Sequence, residues 1–286
     1  MVDFLIGCAV WAYKEWIGDF YPPKTQARDF LKLYSDRFST VEGNTTFYAV
    51  PKQDTVIRWR EETSADFRFC LKLPKSITHQ SSLKANIPTA LEFVERMRPL
   101  GAKLGPMFAQ LPPSYSPKLI DDLTTFLEAW QETELELALE VRHKAWFQEP
   151  HQSNLKKLLE RFNVGRVLLD TRPIYECEDD PQLYSERKKP QLPVQFTVTS
   201  SFVLIRFISH PNLSNNQPYM EEWAIYIKKW LEEGKRIYLF IHCPLEEKSP
   251  TNARHFHEIL KEFGTKIPSL PKWNNIDNSP TQLSLW

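Results

Sequence analysis

The sequence predicts a single α/β domain of the (β/α)8 barrel class over residues 1–270, followed by a flexible C-terminal tail over 271–286. Three observations carry that reading. Short apolar runs rich in β-branched and aromatic residues recur eight times along the chain. Amphipathic helical stretches fill most of the gaps between them. No glycine-rich phosphate fingerprint follows the first run, which separates a barrel from a doubly wound dinucleotide-binding sheet.

The runs lie at 3–8, 40–44, 68–72, 106–110, 136–140, 164–169, 202–206 and 236–241, with starts 28 to 38 residues apart. That interval is a strand plus a crossover helix. Ser116-Pro117 opens a helix over 118–131, in which Leu119, Leu123, Phe126, Leu127 and Trp130 recur along one face. Ser249-Pro250 opens another over 251–263. A serine cap ahead of proline is a start signal because proline has no N–H to leave unpaired in the first turn. Asp54 and Ser153 are candidate caps for helices running to Glu62 and Phe162, and Gly101, Gly234 and Gly264 fall where helices should end. The stretch 171–199 has no helical period and reads as a long irregular loop over the barrel mouth after the sixth strand.

Composition bounds the function. Thirty-six basic and 36 acidic residues cancel, which argues against a surface that is wholly a nucleic-acid footprint. Only 8 glycines are available for phosphate-cradling loops. Cys8, Cys70, Cys177 and Cys243 are scattered with no CxxC spacing and read as reduced thiols. The chain enters its first strand almost at once, without a basic and apolar leader, and no apolar stretch is long enough for a membrane helix. The expected location is the cytoplasm, with no membrane partner.

In a barrel of this class, chemistry gathers at the C-terminal ends of the strands. Those ends carry Trp11 and Tyr13; Glu42 and Asn44; Lys72, then His79; Gln110; Glu140, Arg142 and His143, then Trp146; Asp170; Arg206; and His242. Some of these charges will pair as buried salt bridges, since an unpaired charge inside is costly. The set as a whole reads as a site. Glu42, Lys72, Glu140, Arg142 and Asp170 are the catalytic candidates, and Trp11, Tyr13, Asn44, His79, Gln110, His143, Trp146, Arg206 and His242 are the substrate-binding ones. Two carboxylates in unlike environments can divide general-acid and general-base work, which assigns that pair to Glu140 and Glu42. Lys72 and Arg142 would bind anionic groups or lower the pKa of the base, and the aromatics would stack on a sugar or a base. The reading is a hydrolase or isomerase acting on a sugar-like or nucleotide-like small molecule. A non-catalytic ligand-binding barrel is the alternative. Glu42, His79, Glu140, Asp170 and His242 are also of the types that bind divalent metal, but no HxH or HExxH spacing supports an ion and the neighbouring cations would repel one.

Several of these segments resemble one family. Ile6-Gly7-Cys8 with Trp11, Val41-Glu42-Gly43-Asn44-Thr45-Thr46-Phe47-Tyr48, Lys72-Leu73-Pro74 with Thr78-His79, Gln110-Leu111-Pro112-Pro113-Ser114 and Glu140-Val141-Arg142-His143 with Trp146 are similar to the YecE-like family, domain of unknown function 72. The resemblance runs from Gly7 to about Arg254 and implies a TIM barrel without a settled activity. The sequence departs from the family pattern at Gly43, where a larger aliphatic residue is usual. It departs again after Arg206-Phe207, where His210 is displaced by two, and at His242-Cys243, where asparagines are usual.

The tail ends Gln282-Leu283-Ser284-Leu285-Trp286, which resembles the clamp-binding peptide of bacterial replication and repair proteins. That resemblance implies a sliding clamp as partner and, by analogy with barrel-shaped repair enzymes, a role in DNA repair as a further alternative.

Overall fold

The computed structural model describes residues 3–185 and 188–271. All eight predicted strands are present: β1 Phe4–Cys8, β2 Thr40–Gly43, β3 Arg68–Leu71, β4 Met107–Gln110, β5 Leu137–Glu140, β6 Gly165–Asp170, β7 Phe202–Ile208 and β8 Arg236–His242. Around them lie α1 Phe30–Ser35, α2 Thr45–Tyr48, α3 Gln53–Glu62, α4 Lys75–Thr78, α5 Ile87–Met97, α6 Ile120–Gln131, α7 His151–Arg161, α8 Gln217–Glu232 and α9 Ser249–Glu262. Every pairing is parallel. The hydrogen bonds divide the strands into a curled six-stranded sheet, β1-β8-β7-β6-β5-β4, and a two-stranded sheet, β2-β3. An eight-stranded ladder was expected, and two seams interrupt it. Between β3 and β4 only the isolated bridges Phe69–Leu104 and Lys72–Phe108 remain. Between β1 and β2 a side chain replaces part of the ladder: the Cys8 N–H donates to the Tyr34 hydroxyl at 2.6 Å, which donates to the Thr40 carbonyl at 3.1 Å.

The period of two along each strand builds two cores. Leu5, Cys70, Phe108, Ala138, Val167, Leu204, Tyr238 and Phe240 fill the space enclosed by the strands. Their alternates, such as Val41, Leu139, Leu168, Ile205 and Leu239, join the larger core against the helices. A strand residue two positions from an inner residue is therefore also inner, and this parity decides which charges can meet.

The helix starts differ in detail from the sequence expectations. Ser116 precedes a 3-10 turn, Pro117–Leu119, and its side chain makes no capping bond. Ser249 lies inside the first turn of α9, while Asp54 and Ser153 lie inside the first turns of α3 and α7. The Ser153 hydroxyl instead donates to Glu149 at 2.8 Å. Gly234 and Gly264 follow the ends of α8 and α9 with φ of 77° and 74°, as left-handed helix stops require.

The segment after β6 is more than the surface loop expected. No helix crosses from β6 to β7 among the described residues. Val194, Phe196 and Val198 pack onto the core in its place, and the Phe196 ring stacks on Tyr226 at 4.0 Å. The segment also reaches the strand ends: Asp179 meets His210 Nε2 at 3.0 Å, and Lys189 lies within electrostatic reach of Arg206 and Glu42.

Candidate functional site

Arg206, two residues before the end of β7, is inner by parity and lies at the centre of the strand ends. Its Nε and Nη2 donate to the two Glu42 oxygens at 2.7 and 2.8 Å, and its Nη1 donates to Glu140. From Glu140 the chain of bonds continues to Arg142 Nε at 2.7 Å. Arg142 Nη2 donates to Gln110 Oε1 at 2.6 Å, and Lys72 Nζ donates to the same oxygen at 2.9 Å. On the other side, Glu42 accepts from Asn44 Nδ2 at 2.7 Å and lies 3.2 Å from His242 Nε2. Ionised Glu42 can only accept, so this histidine nitrogen carries the proton. Eight predicted residues (Glu42, Asn44, Lys72, Gln110, Glu140, Arg142, Arg206 and His242) thus form one network across β2, β3, β4, β5, β7 and β8.

The charges are graded by depth. Glu42 and Glu140 are fully buried, whereas the Arg142 side chain keeps 20 % of its exposure. Burial opposes ionisation of Glu140, but Arg206, Arg142 and Lys72 outweigh it and hold the carboxyl at about 2. Burial likewise opposes the charge on Glu42, and Arg206 and His242 bring its pKa well below the ordinary range. Lys72 is pushed down to about 7 by burial first and then by the Arg206 charge. Its ammonium lies 4.0 Å from the centre of the Phe47 ring, a cation–π contact that partly replaces lost water. Burial lowers His242 to about 4, and burial with the nearby Lys72 charge does the same to His79.

These shifts fix a sign. An unfolded chain takes a proton on His242 near pH 6.5 and on each glutamate near pH 4.3, while the folded His242 and Glu140 wait until about 4 and about 2. The unfolded state binds more protons throughout that window, so stability falls as pH drops from about 6.5 toward 2. Urea unfolding at a series of pH values is expected to show this slope. His242→Gln, which keeps a donor for Glu42, should flatten its upper part, between about pH 6.5 and 4, leaving the share contributed by His79. A variant whose profile stays parallel to the original would mean that His242 is not its source.

The remaining candidates lie elsewhere. Asp170 pairs in register with Phe207, one step out of phase with Arg206 and Leu169, so its side chain faces the helices. There it accepts from Trp223 Nε1 at 2.8 Å and binds Arg172 at 2.7 Å, which makes it a structural ion pair. Trp146 is completely buried, with its Nε1 on the Tyr115 carbonyl at 2.8 Å, and offers no stacking face. Trp11 packs edge-on against Trp59 at 5.3 Å, and Tyr13 against Trp16 at 5.6 Å. His143 caps a 3-10 turn through Ala145 N. His79 bonds Thr78 at 2.7 Å and meets Phe47 edge-on, next to the network but not in it. The five proposed metal ligands are therefore not assembled. The group of metal-binding side-chain types found among the described residues is Cys177, Asp179 and His210. There, His210 Nδ1 already accepts from Asn212 N at 3.0 Å, so Nε2 holds the proton and faces Asp179 with no lone pair for an ion.

Two groups went unnoticed in the sequence. Lys189, on the covering segment, lies within electrostatic reach of Arg206 and Glu42, and burial lowers its pKa. Glu246, after β8, is pushed up to about 8 by burial, with the Glu42 charge adding to the rise. A carboxylate and a lysine in irregular segments carry no periodic signal. Residues 282–286 lie outside the described part of the chain.

A family model described as "Protein of unknown function DUF72" matches residues 5–275. The UPF0759 protein YecE of Escherichia coli K12 is 32% identical over 278 residues, 95% of this chain and 98% of that protein. The UPF0759 protein YunF of Bacillus subtilis is 30% identical over 142 residues, 46% of this chain and 48% of that one. Among solved structures, a DUF72 family protein of Enterococcus faecalis aligns with a TM-score of 0.67 at 16% identity, covering 95% of this chain and 99% of that one. A DUF72 family protein of Thermotoga maritima aligns with a TM-score of 0.65 at 20% identity, covering 90% and 99%.

Proposed function

The chain belongs to the DUF72 family, whose description assigns no activity, and from that premise we propose an enzyme of the hydrolase or isomerase type acting on a small anionic, sugar-like or nucleotide-like substrate at the strand ends. One observation carries this reading: the donors there outnumber the acceptors left to them. Lys72 has a single hydrogen-bond acceptor among the described residues, Gln110 Oε1, and shares it with Arg142. An ammonium has three N–H groups to satisfy. Both carboxylates are already occupied, Glu42 by Arg206, Asn44 and His242, and Glu140 by Arg206 and Arg142. That arrangement suits an oxyanion beside Lys72 and Arg142.

The saturated carboxylates alter the division of labour. A glutamate held ionised at about 2 has no proton to give at neutral pH. We therefore place proton transfer on Lys72, poised at about 7, and leave Glu42 and Glu140 to fix Arg206 and offset its charge. Gln110 holds Lys72 and Arg142 toward one point, where a carbonyl or a phosphate oxygen would be polarised. We also read the two sheets as one closed (β/α)8 barrel, which the bridges between β3 and β4 and the Tyr34 link between β1 and β2 support. Four free cysteines favour a reducing cytoplasmic setting, and among the described residues no helix is long and apolar enough to cross a membrane.

Calorimetric titration with gluconate, glucose 6-phosphate and neutral glucose tests the site. An anionic sugar should bind at about pH 6 and more weakly above pH 7, as Lys72 loses its proton. Lys72→Met should weaken that binding by roughly tenfold or more, the usual scale for losing a charge-assisted bond. Binding of glucose alone, or undiminished anion binding by Lys72→Met, would count against the reading. Acetic anhydride labelling against pH offers a readout free of ligand, with Lys72 half-reactive near 7 rather than near the ordinary lysine value of about 10.4.

A further inference from the structure

Arg166 is the second residue of β6, a charge set within an apolar run. It shares outer parity with Asp170, so its side chain leaves the strand toward the covering layer. Only 3 % of its surface is exposed, and neither Nη1 nor Nη2 has a hydrogen-bond partner. No carboxylate acts on it: burial alone lowers its pKa, to about 10. Its guanidinium carbon lies 5.2 Å from the centre of the Phe147 ring. An aromatic face offsets part of the desolvation of a cation but occupies none of its N–H groups.

Beside it is a void of ≈ 10 Å³, lined by Glu140, Phe147, Leu169, Leu192, Pro193 and Gln195 together with Arg166. That is room for about one water-sized particle. Both Glu140 oxygens are taken by Arg142 and Arg206, so this carboxylate is not free to serve as the counter-ion. Phe147, Leu192 and Pro193 also line an outer cleft of ≈ 450 Å³, so the wall between void and solvent is a few side chains thick.

We infer that Arg166 and this void form a binding site for a single small monovalent anion of halide size, enclosed beneath the segment that replaces the helix between β6 and β7. The anion completes the Arg166 guanidinium as a carboxylate does in an ordinary buried ion pair. The void has room for about one small particle, which favours a monatomic anion such as chloride over sulfate or gluconate. The site adjoins the Arg206 network through Glu140, whose oxygens are taken by Arg142 and Arg206, and it does not depend on any reading of the activity there. Anion binding would tie β6 to the 192–195 stretch and so tighten the cover without touching Lys72.

Thermal unfolding at about pH 8.5, where Lys72 is neutral and the strand-end site holds gluconate weakly, compares sodium chloride with sodium gluconate at equal ionic strength and tests this. Chloride should raise the midpoint by a few degrees with a saturable dependence, because a ligand that binds only the folded state stabilises it in proportion to its occupancy. Arg166→Met should fold and show the same midpoint in both salts. The chloride-35 NMR line of the unmodified protein gives a second readout that needs no variant: it should broaden and then sharpen on addition of bromide. Equal midpoints in the two salts with an unbroadened chloride line would overturn the proposal and leave the void to water. A chloride effect of the same size in Arg166→Met would overturn it too.

Discussion

Replacing Arg206 by methionine is expected to cost about 3–5 kcal/mol, the penalty for leaving a buried carboxylate without its partner. Here Glu42 loses its one guanidinium partner and Glu140 keeps only Arg142, and the two are exposed to 0% and 1% of their surface. At roughly 2–4 °C per kcal/mol for a chain somewhat shorter than this one, the midpoint should fall by on the order of 10 °C. The pH dependence should also change sign. In the unmodified protein the carboxylates sit below their unfolded values, and their contribution is lost as the solution is acidified. Without Arg206, burial dominates at Glu42 and raises it, so the folded state takes up that proton first and its contribution to stability grows as pH falls below neutral. Combining Arg206→Met with Glu42→Gln and Glu140→Gln should recover much of the loss. Urea unfolding at about pH 7 and pH 5 measures both effects. A single variant as stable as its parent at pH 7 would show that the ion pairs are not what holds these carboxylates.

Gly7→Ala should be comparably severe for a different reason. A Cβ at Gly7 would lie 1.8 Å from the Thr40 carbonyl oxygen and 2.7 Å from the Tyr34 hydroxyl. The nearer group is backbone, so relief requires β1 and β2 to part and the Tyr34 link to break. A cost of about 4 kcal/mol or more is expected, at the far end for one substitution, against a total stability of about 5–15 kcal/mol. Gly234→Ala is the comparison: its φ of +77° is strained for alanine, but nothing lies within 4 Å of the added atom. That change should cost about 1 kcal/mol. Soluble yield and the urea midpoint of the two variants decide it, and equal losses would mean that the strands have room to move apart.

The order of elements was legible because an apolar run and a helical face each announce themselves within a few residues. What the sequence could not show was phase. Asp170 and Arg206 both stand near strand ends, yet pairing of Leu169 with Arg206 turns one carboxylate outward and the guanidinium inward. A one-residue difference in where β6 ends is enough to misassign it. The aromatics failed for a related reason. Trp146 stands near a strand end in the sequence, but its ring is used to pin the turn after β5 to the Tyr115 carbonyl. Arg166 left a trace that could have been read: a lone arginine inside an apolar strand must find a counter-charge or an anion. The ends of β7 and β8, where the sequence departs from the family pattern, supply the central guanidinium and a histidine that donates to Glu42.

Glu42, Asn44 and Lys72 all ride on the β2–β3 pair or its immediate continuation, while Gln110, Glu140, Arg206 and His242 belong to the six-stranded sheet. The two groups are sewn together by few backbone bonds and by the side-chain links Arg206–Glu42, His242–Glu42 and Lys72–Gln110. Cooperative units tend to separate where such links are sparse. Hydrogen exchange is therefore expected to show the β2–β3 amides exchanging before those of the larger sheet, through a sub-global opening that takes the proposed site apart. Assembly of the proposed site then follows one seam's local equilibrium rather than the stability of the whole.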